Sequence, residues 1–255
     1  MVSMKKRFIV LTVVLLACSI PSWATWTLVQ SKQSASCTSS SNTCSFSTIV
    51  SMSAGNIILI GMAIANTSDT ISSVSGDGTY THCSNCHGSD SGATSGVDMA
   101  YNLNTTGGSN VVITVTRSSS TTAGWTISEY EFSFTGTGVA LDSSGSTDKS
   151  TSAHPLVGQS LTLTGTNDAI MQVGRFSRSE SAVTSGGSCS YTSPSPNNNS
   201  AVGMAGAINC VDSGSPPSWT FSANTTGAVA AIAISETQTA SSCNNYIALM
   251  GAGCE

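Results

Sequence analysis

Charge is what this chain has least of. Asp, Glu, Lys and Arg make up only 8% of its 255 residues, where about 25% is ordinary. Basic residues are scarcest: there are eight, and three of them, Lys5, Lys6 and Arg7, stand together near the start. The remaining five face thirteen Asp and Glu, a formal charge of −8 beyond residue 24. A basic footprint for nucleic acid is therefore missing, and nucleic-acid binding is excluded as an expectation. Long apolar runs are missing too. The stretch Phe8–Ala17 is apolar but too short to span a membrane, and no later segment approaches the roughly 20 residues required. A sustained 3.6-residue apolar period is absent after residue 24, so helices are not expected.

What is present begins with an export signal. The basic cluster, the apolar run and the small residues Ser22 and Ala24 read as a secretory signal peptide over residues 1–24, giving a mature start at Thr25. Lipidation at Cys18 is the alternative, although Leu16 directly before Ala17 suits it poorly. The expected location is secreted, extracellular or at the cell surface, with the periplasm open. Eight cysteines remain, at 37, 44, 83, 86, 189, 210, 243 and 254, an even number that suits an oxidising compartment. Pairing of neighbours gives Cys37–Cys44, Cys189–Cys210 and Cys243–Cys254, and leaves Cys83 and Cys86 as the one ambiguous pair. Spacing alone cannot prove this, because eight cysteines allow about 105 arrangements.

Short apolar or alternating runs recur between clusters of Gly, Ser, Thr and Asn, the pattern of an all-β chain. "NIILIGMAIA" from Asn56 and "VVITV" from Val111 read as strands buried on both faces. "WTISEYEFSF" places Trp125 and Ile127 on one face and Tyr130, Phe132 and Phe134 on the other, which predicts a β-bulge between them. Trp26, Trp125 and Trp219 sit in apolar-alternating strands and read as core, not as a carbohydrate-binding platform.

The chain also repeats itself. At an offset of 111, Asn56 meets Asn167, Leu59 and Ile60 meet Ile170 and Met171, and Tyr80 and Thr81 meet Tyr191 and Thr192. At 105, "VDMAYNLN" meets "VGMAGAIN"; at 107, "ISE" meets "ISE". Two copies, about 25–136 and 137–238, are expected to build a single β-sandwich domain, jelly-roll or Ig-like, with a disulfide-closed tail at 239–255. "SAGNIILIGMAI", "GVDMAYNLNTTGGSNVVITVT" and "WTISEYEFSFTG" resemble the secreted Ser/Thr/Gly-rich β-sandwich proteins of environmental bacteria. That resemblance implies export and a fold class, and carries over no functional residue. Self-association through strand edges is a further expectation.

One motif carries chemistry. "CSNCHG", residues 83–88, resembles the attachment site of c-type cytochromes. The resemblance implies thioethers from Cys83 and Cys86 to haem c, with His87 on the iron. Met99 is a candidate sixth ligand, and Met171, Met204, His82 or His154 are others. The following "SDSGATSG" offers almost no apolar cover for a macrocycle. A disulfide between Cys83 and Cys86 that stiffens an exposed loop is the preferred reading, haem the alternative. A zinc knot of His82, Cys83, Cys86 and His87 has the right ligand types but too tight a spacing.

No catalytic constellation emerges. "GQS" at Gly158 and "GSC" at Gly187 lack the flanks of a nucleophile elbow. Glu129 and Glu131 are spaced to lie on one strand face, and a carboxylate pair suggests glycoside hydrolysis, but the matching Glu236 has no second partner in copy two, and edge or solvent-facing charges that discourage aggregation explain the pair better. Asp77 in "SGDGT" is one acid where a calcium loop needs several, so a turn is expected.

Overall fold

The computed structural model describes residues 25–237, apart from 35–36, 49–50, 91, 93, 120–121, 137, 166, 187–188, 194–201 and 211–215. The expected signal segment with Cys18, and the tail with Cys243 and Cys254, lie outside the described residues. The described chain is all β. The first copy holds β1 (Trp26–Gln33), β2 (Thr43–Ser47), β3 (Ile57–Ile64), β4 (Ile71–Ser75), β5 (Thr81–His82), β6 (Gly88–Asp90), β7 (Ser95–Asn102), β8 (Val112–Arg117) and β9 (Trp125–Phe134). The second holds β10 (Val139–Ala153), β11 (Leu156–Val157), β12 (Asp168–Phe176), β13 (Glu180–Thr184), β14 (Val202–Cys210), β15 (Ser218–Phe221) and β16 (Thr225–Glu236).

The two copies wind alike. Copy one orders β1-β9-β3-β7 in a large sheet, extended by β5 and β6 along β7, and β2-β8-β4 in a small one. Copy two orders β10-β16-β12-β14 and β11-β15-β13. In each, the first strand pairs with the last and successive long strands alternate between sheets, a jelly-roll wind. The large sheets of the two copies face each other, and each small sheet covers the far side of its own large sheet. Four layers and three cores result. The seam between the copies holds Leu59, Met99, Tyr130 and Phe132 against Met171, Met204, Ala230 and Ile232. Ile58, Ile60, Ile113 and Trp125 fill the outer core of copy one, and Ile170, Trp219, Phe221 and Val229 that of copy two. Each copy thus pairs its own large and small sheet, and the two large sheets pack face to face across the seam.

Because both faces of the inner strands are buried, β3 shows no alternation and every residue in it is buried. β8 departs from expectation. Ile113 and Val115 are buried, but Val112 on its other face is 49% exposed, because the small sheet is covered on one side only. β9 departs as well: it pairs with β3 from Trp125 to Phe132 without irregularity. Its apparent change of phase is ordinary alternation between two buried faces. The bulge lies in its neighbour β1, between Leu28 and Gln30.

Strand register tests the repeat position by position. Leu59 stands opposite Tyr130 and Tyr101, and Met171 opposite Ile232 and Gly206. The offset of 105 is therefore right for β7 and β14, where Val97, Met99, Val202 and Met204 all face the seam. Thr81 and Thr192 also match, being paired with Tyr101 and Gly206. For β3 and β12 the register gives 112, not 111. For β9 and β16 it gives 102, so Phe132 matches Ile234 and the two "ISE" triplets do not correspond. A one-residue slip turns every side chain to the other face, and Ile127 does point to the outer core while Ile234 points to the seam.

The seam is close because small residues sit opposite large ones. A Cβ on Gly61 would lie 2.9 Å from the Met171 methyl, and one on Gly206 would overlap the Tyr130 ring. β3 meets β12, β1 meets β14, and β6 and β7 meet β16, the pattern of an approximate two-fold axis between β3 and β12. Polar groups cross it too. The Tyr130 hydroxyl donates to the Thr192 carbonyl (2.7 Å), and the Trp26 indole to that of Asn167 (2.8 Å).

Candidate functional site

β5 and β6 both pair with β7, so the chain runs along one edge of the large sheet and leaves it only for Cys83–His87. Five residues there stand opposite Asp98 and Met99. The Cys83 amide donates to the Met99 carbonyl (3.0 Å), and the Cys86 amide to that of Cys83 (3.1 Å), closing a turn. Cys83 and Cys86 are joined by a disulfide. Sulfurs bonded to each other are not available for thioethers. The expectation of an exposed loop is corrected: Cys86 has no exposed surface and belongs to the seam, with its sulfur 3.5 Å from the Ala231 carbonyl of copy two. Only Ser84 and Asn85 at the tip are exposed. The excursion folds inward because Gly88 brings β6 close to the other sheet, where a Cβ would meet Ser146 and the Val229 carbonyl at 3.1 Å.

The neighbouring residues separate by face. His87 is half-buried, its carbonyl accepts from the Ser146 hydroxyl (2.7 Å), and its Nδ1 is buried without a partner. Met99, Met171 and Met204 are all buried in the seam. His82 lies on the opposite face of the sheet, its Nε2 2.8 Å from Asp98, whose carboxylate also accepts the Ile71 amide (2.6 Å). The structure thus keeps the four residues of the zinc reading from converging. Among the described residues, no group of three His, Cys, Asp or Glu side chains is placed to hold a metal ion. His154 accepts the Phe221 amide at Nδ1 (3.2 Å), far along the chain from the cysteines.

A second cluster lies inside copy one, and here the expectation of solvent-facing acids fails. Glu129 and Glu131 are both fully buried under the small sheet. The alternation that put them on one face was right; what sequence could not show is that β2, β8 and β4 cover that face. Glu131 accepts from the side-chain amides of Gln30 and Asn56. Glu129 accepts from nothing. Burial, and then the charge of Glu131, push its carboxyl up to about 8, so it is a neutral acid at pH 7. Lys32 stands opposite it on β1 but carries its Nζ to the Ser47 carbonyl (2.5 Å), over the Phe46 ring. The Tyr80 hydroxyl is likewise buried without a partner, its phenol pushed up by burial and by Asp77, Glu129 and Glu131. An acid, a carboxylate and a phenol are a proton-transfer set in kind. Glu129 and Glu131 themselves have no exposed surface, while Tyr80 is half-buried.

Asp77 organises a turn, as expected. Gly76 and Gly78 on either side have positive φ, and the Asp77 carboxylate accepts the Thr106 amide (3.0 Å) and hydroxyl. Arg117 pairs with buried Asp69 (3.3 Å) and lies over Trp125, pinning the far end of the same core. Asp98 and Asp69 went unremarked in the sequence. For Asp98 the signal would have been an acid inside the otherwise apolar strand segment Val97–Ala100, where burial demands a partner; Asp69, among the polar residues Asn66–Thr70, carries no such signal. Gly187 of "GSC" lies outside the described residues.

The three disulfides described, Cys37–Cys44, Cys83–Cys86 and Cys189–Cys210, are the neighbour pairs and fit a compartment outside the reducing cytosol. No helix among the described residues is long and apolar enough to cross a membrane. Comparison with protein-family models, curated proteins and solved structures finds no match for this chain.

Proposed function

We propose that the protein is exported and acts as a non-enzymatic, disulfide-stiffened β-sandwich, a structural or binding component at the cell surface or outside the cell. The observation that carries this reading is the position of the Cys83–Cys86 bond. Its sulfurs are turned into the seam between the copies, where they join the apolar packing. A disulfide so placed stiffens the join and presents no chemistry to solvent. The buried acids of copy one support the same view, since they are sealed under a sheet. Export through the signal at residues 1–24 supplies the oxidising compartment that the cysteines need.

The test is production by export in a host that carries the haem-attachment machinery. The protein should be colourless, begin at Thr25, and have the mass of the chain with four disulfides and no added group. A red product that keeps its pigment after denaturation, heavier by one haem, would establish the c-type reading through Cys83, Cys86 and His87 and overturn this one. A lipid-modified Cys18 would place the protein on a membrane instead.

A further inference from the structure

In copy one a buried acid and a lysine stand side by side without meeting. Lys32 and Glu129 are directly opposite each other on β1 and β9. Their side chains leave the same face of the large sheet, where the Cβ atoms of such a pair are about 4.5–5.5 Å apart. Glu129 has no exposed surface, and neither of its carboxyl oxygens receives a donor. Lys32 is half-buried and turns away, its Nζ donating to the Ser47 carbonyl (2.5 Å) with its charge over the Phe46 ring. The lysine thereby ties β1 of the large sheet to the end of β2, which lies at an edge of the small sheet and is bonded to β8 on one side.

Which partner Lys32 takes turns on one proton. A neutral Glu129 holds no charge for the ammonium to seek, so the carbonyl and the ring are the better neighbours. An ionised Glu129 would be a buried charge without a donor, strongly unfavourable until a cation reaches it. The other groups around it supply none. Glu131 lies two residues along β9 and is itself held by Gln30 and Asn56. Tyr80, with Asp77 acting on it as well, can lend a hydroxyl but no positive charge. The remaining strands bring Ile60, Ala100, Phe46, Ile113, Val115 and Val74 to this core. Asp98 on the same face is engaged by His82, and Arg117 is held by Asp69 at the far end. Burial, and then the charge of Glu131, push the Glu129 carboxyl up to about 8, while Lys32 pulls the other way.

We infer that Lys32 and Glu129 form a pH-operated latch between the two sheets of copy one: while Glu129 keeps its proton Lys32 fastens the end of β2 through the Ser47 carbonyl, and when Glu129 ionises Lys32 swings inward to pair with it and frees that end. The release is easy because the bond to Ser47 is exposed, so water replaces the ammonium there. Copy two has no such latch, since register puts Gly145 and Ala231 opposite each other at these places. The outer sheet of copy one is then the part of the molecule whose fastening follows the pH of the medium, on the alkaline side of neutrality.

The test is an NMR titration of the full exported, oxidised protein from about pH 5.5 to about pH 9.5. The Glu129 carboxyl carbon should titrate with a midpoint near 8. The Lys32 Cε and the Thr48 amide nitrogen, which senses the Ser47 carbonyl, should move with the same midpoint. Protection of the Thr48 amide, which donates to the Val111 carbonyl, should fall on the order of tenfold over that range after correction for the intrinsic exchange rate. Glu129→Gln should leave the Lys32 and Thr48 signals flat. Lys32→Met should raise the Glu129 midpoint by about 1–3 pH units or out of range, leave Thr48 poorly protected at every pH, and carry the test if Glu129→Gln does not fold. A wild-type Glu129 that does not titrate in this range, a Thr48 response that persists in Glu129→Gln, or a Glu129 midpoint unmoved in Lys32→Met would overturn the latch.

Discussion

The two copies share a wind and differ in what they bury. At positions that register makes equivalent, copy one has Gln30, Lys32, Glu129 and Glu131, whereas copy two has Ser143, Gly145, Ala231 and Ala233. Copy two moves its polar group to the neighbouring strand, where Gln172 takes the place of Ile60. Gln172 accepts the Gln159 amide (2.9 Å) and donates to the Gln159 carbonyl (2.9 Å), so it is satisfied. Glu129 is not. One jelly-roll wind thus tolerates either a closed amide network or a strained acid beneath its outer sheet. The seam is the part both copies must build together, and its packing is apolar from both sides, with the Tyr130 and Trp26 hydrogen bonds crossing it.

That contrast predicts where substitutions will hurt. Tyr130→Ala should be the most damaging, because it empties the ring's place against Gly206 and removes the hydrogen bond to Thr192. A loss of about 3–5 kcal/mol is expected in denaturant unfolding. A loss below about 1 kcal/mol would mean that the seam contributes little.

Glu129 should show itself in pH dependence. Its folded pKa is raised from the ordinary value to about 8. Between these two values the unfolded chain gives up a proton that the folded chain keeps. The stability that Glu129 allows is therefore full below about pH 4 and lost as pH rises to 8. Melting temperature should climb as pH falls from 8 towards 5, and Glu129→Leu should flatten the climb and raise stability at pH 8. An unchanged slope in the variant would remove Glu129 from the account. Ala231, its counterpart, offers no such handle.

The seam disulfide comes next in size. Replacing Cys83 and Cys86 together by Ala should cost about 2 kcal/mol, the loop-closure entropy of so short a ring. It should do so without changing the wind, since copy two has no such bond at the corresponding place. The smallest effect is expected for His82→Gln. The ring is 41% exposed, and its bond to Asp98 is backed by the Ile71 amide. Unfolding should move by no more than about 1 kcal/mol.

Strand patterning and cysteine spacing revealed much of this fold. The all-β class, the repeat, the buried tryptophans and the three described disulfides were all legible. What escaped was layering. Sequence shows that Trp125 and Tyr130 point opposite ways, but not that both sides of β9 are covered, and so a bulge was expected where none lies. The same gap hid the burial of Glu129 and Glu131: alternation gives a face, and only tertiary packing says what covers it. Repeat offsets failed where side chains are small and alike. "ISE" matched "ISE" by letters, while register, fixed by both buried faces, set Phe132 against Ile234.

A seam built by both copies predicts that the two jelly rolls unfold as one unit, and scanning calorimetry of the oxidised protein tests that most directly. The account predicts a single transition whose calorimetric and van't Hoff enthalpies agree, and which Tyr130→Ala shifts as a whole. Two separable transitions, with Tyr130→Ala moving only the one that belongs to copy one, would contradict it.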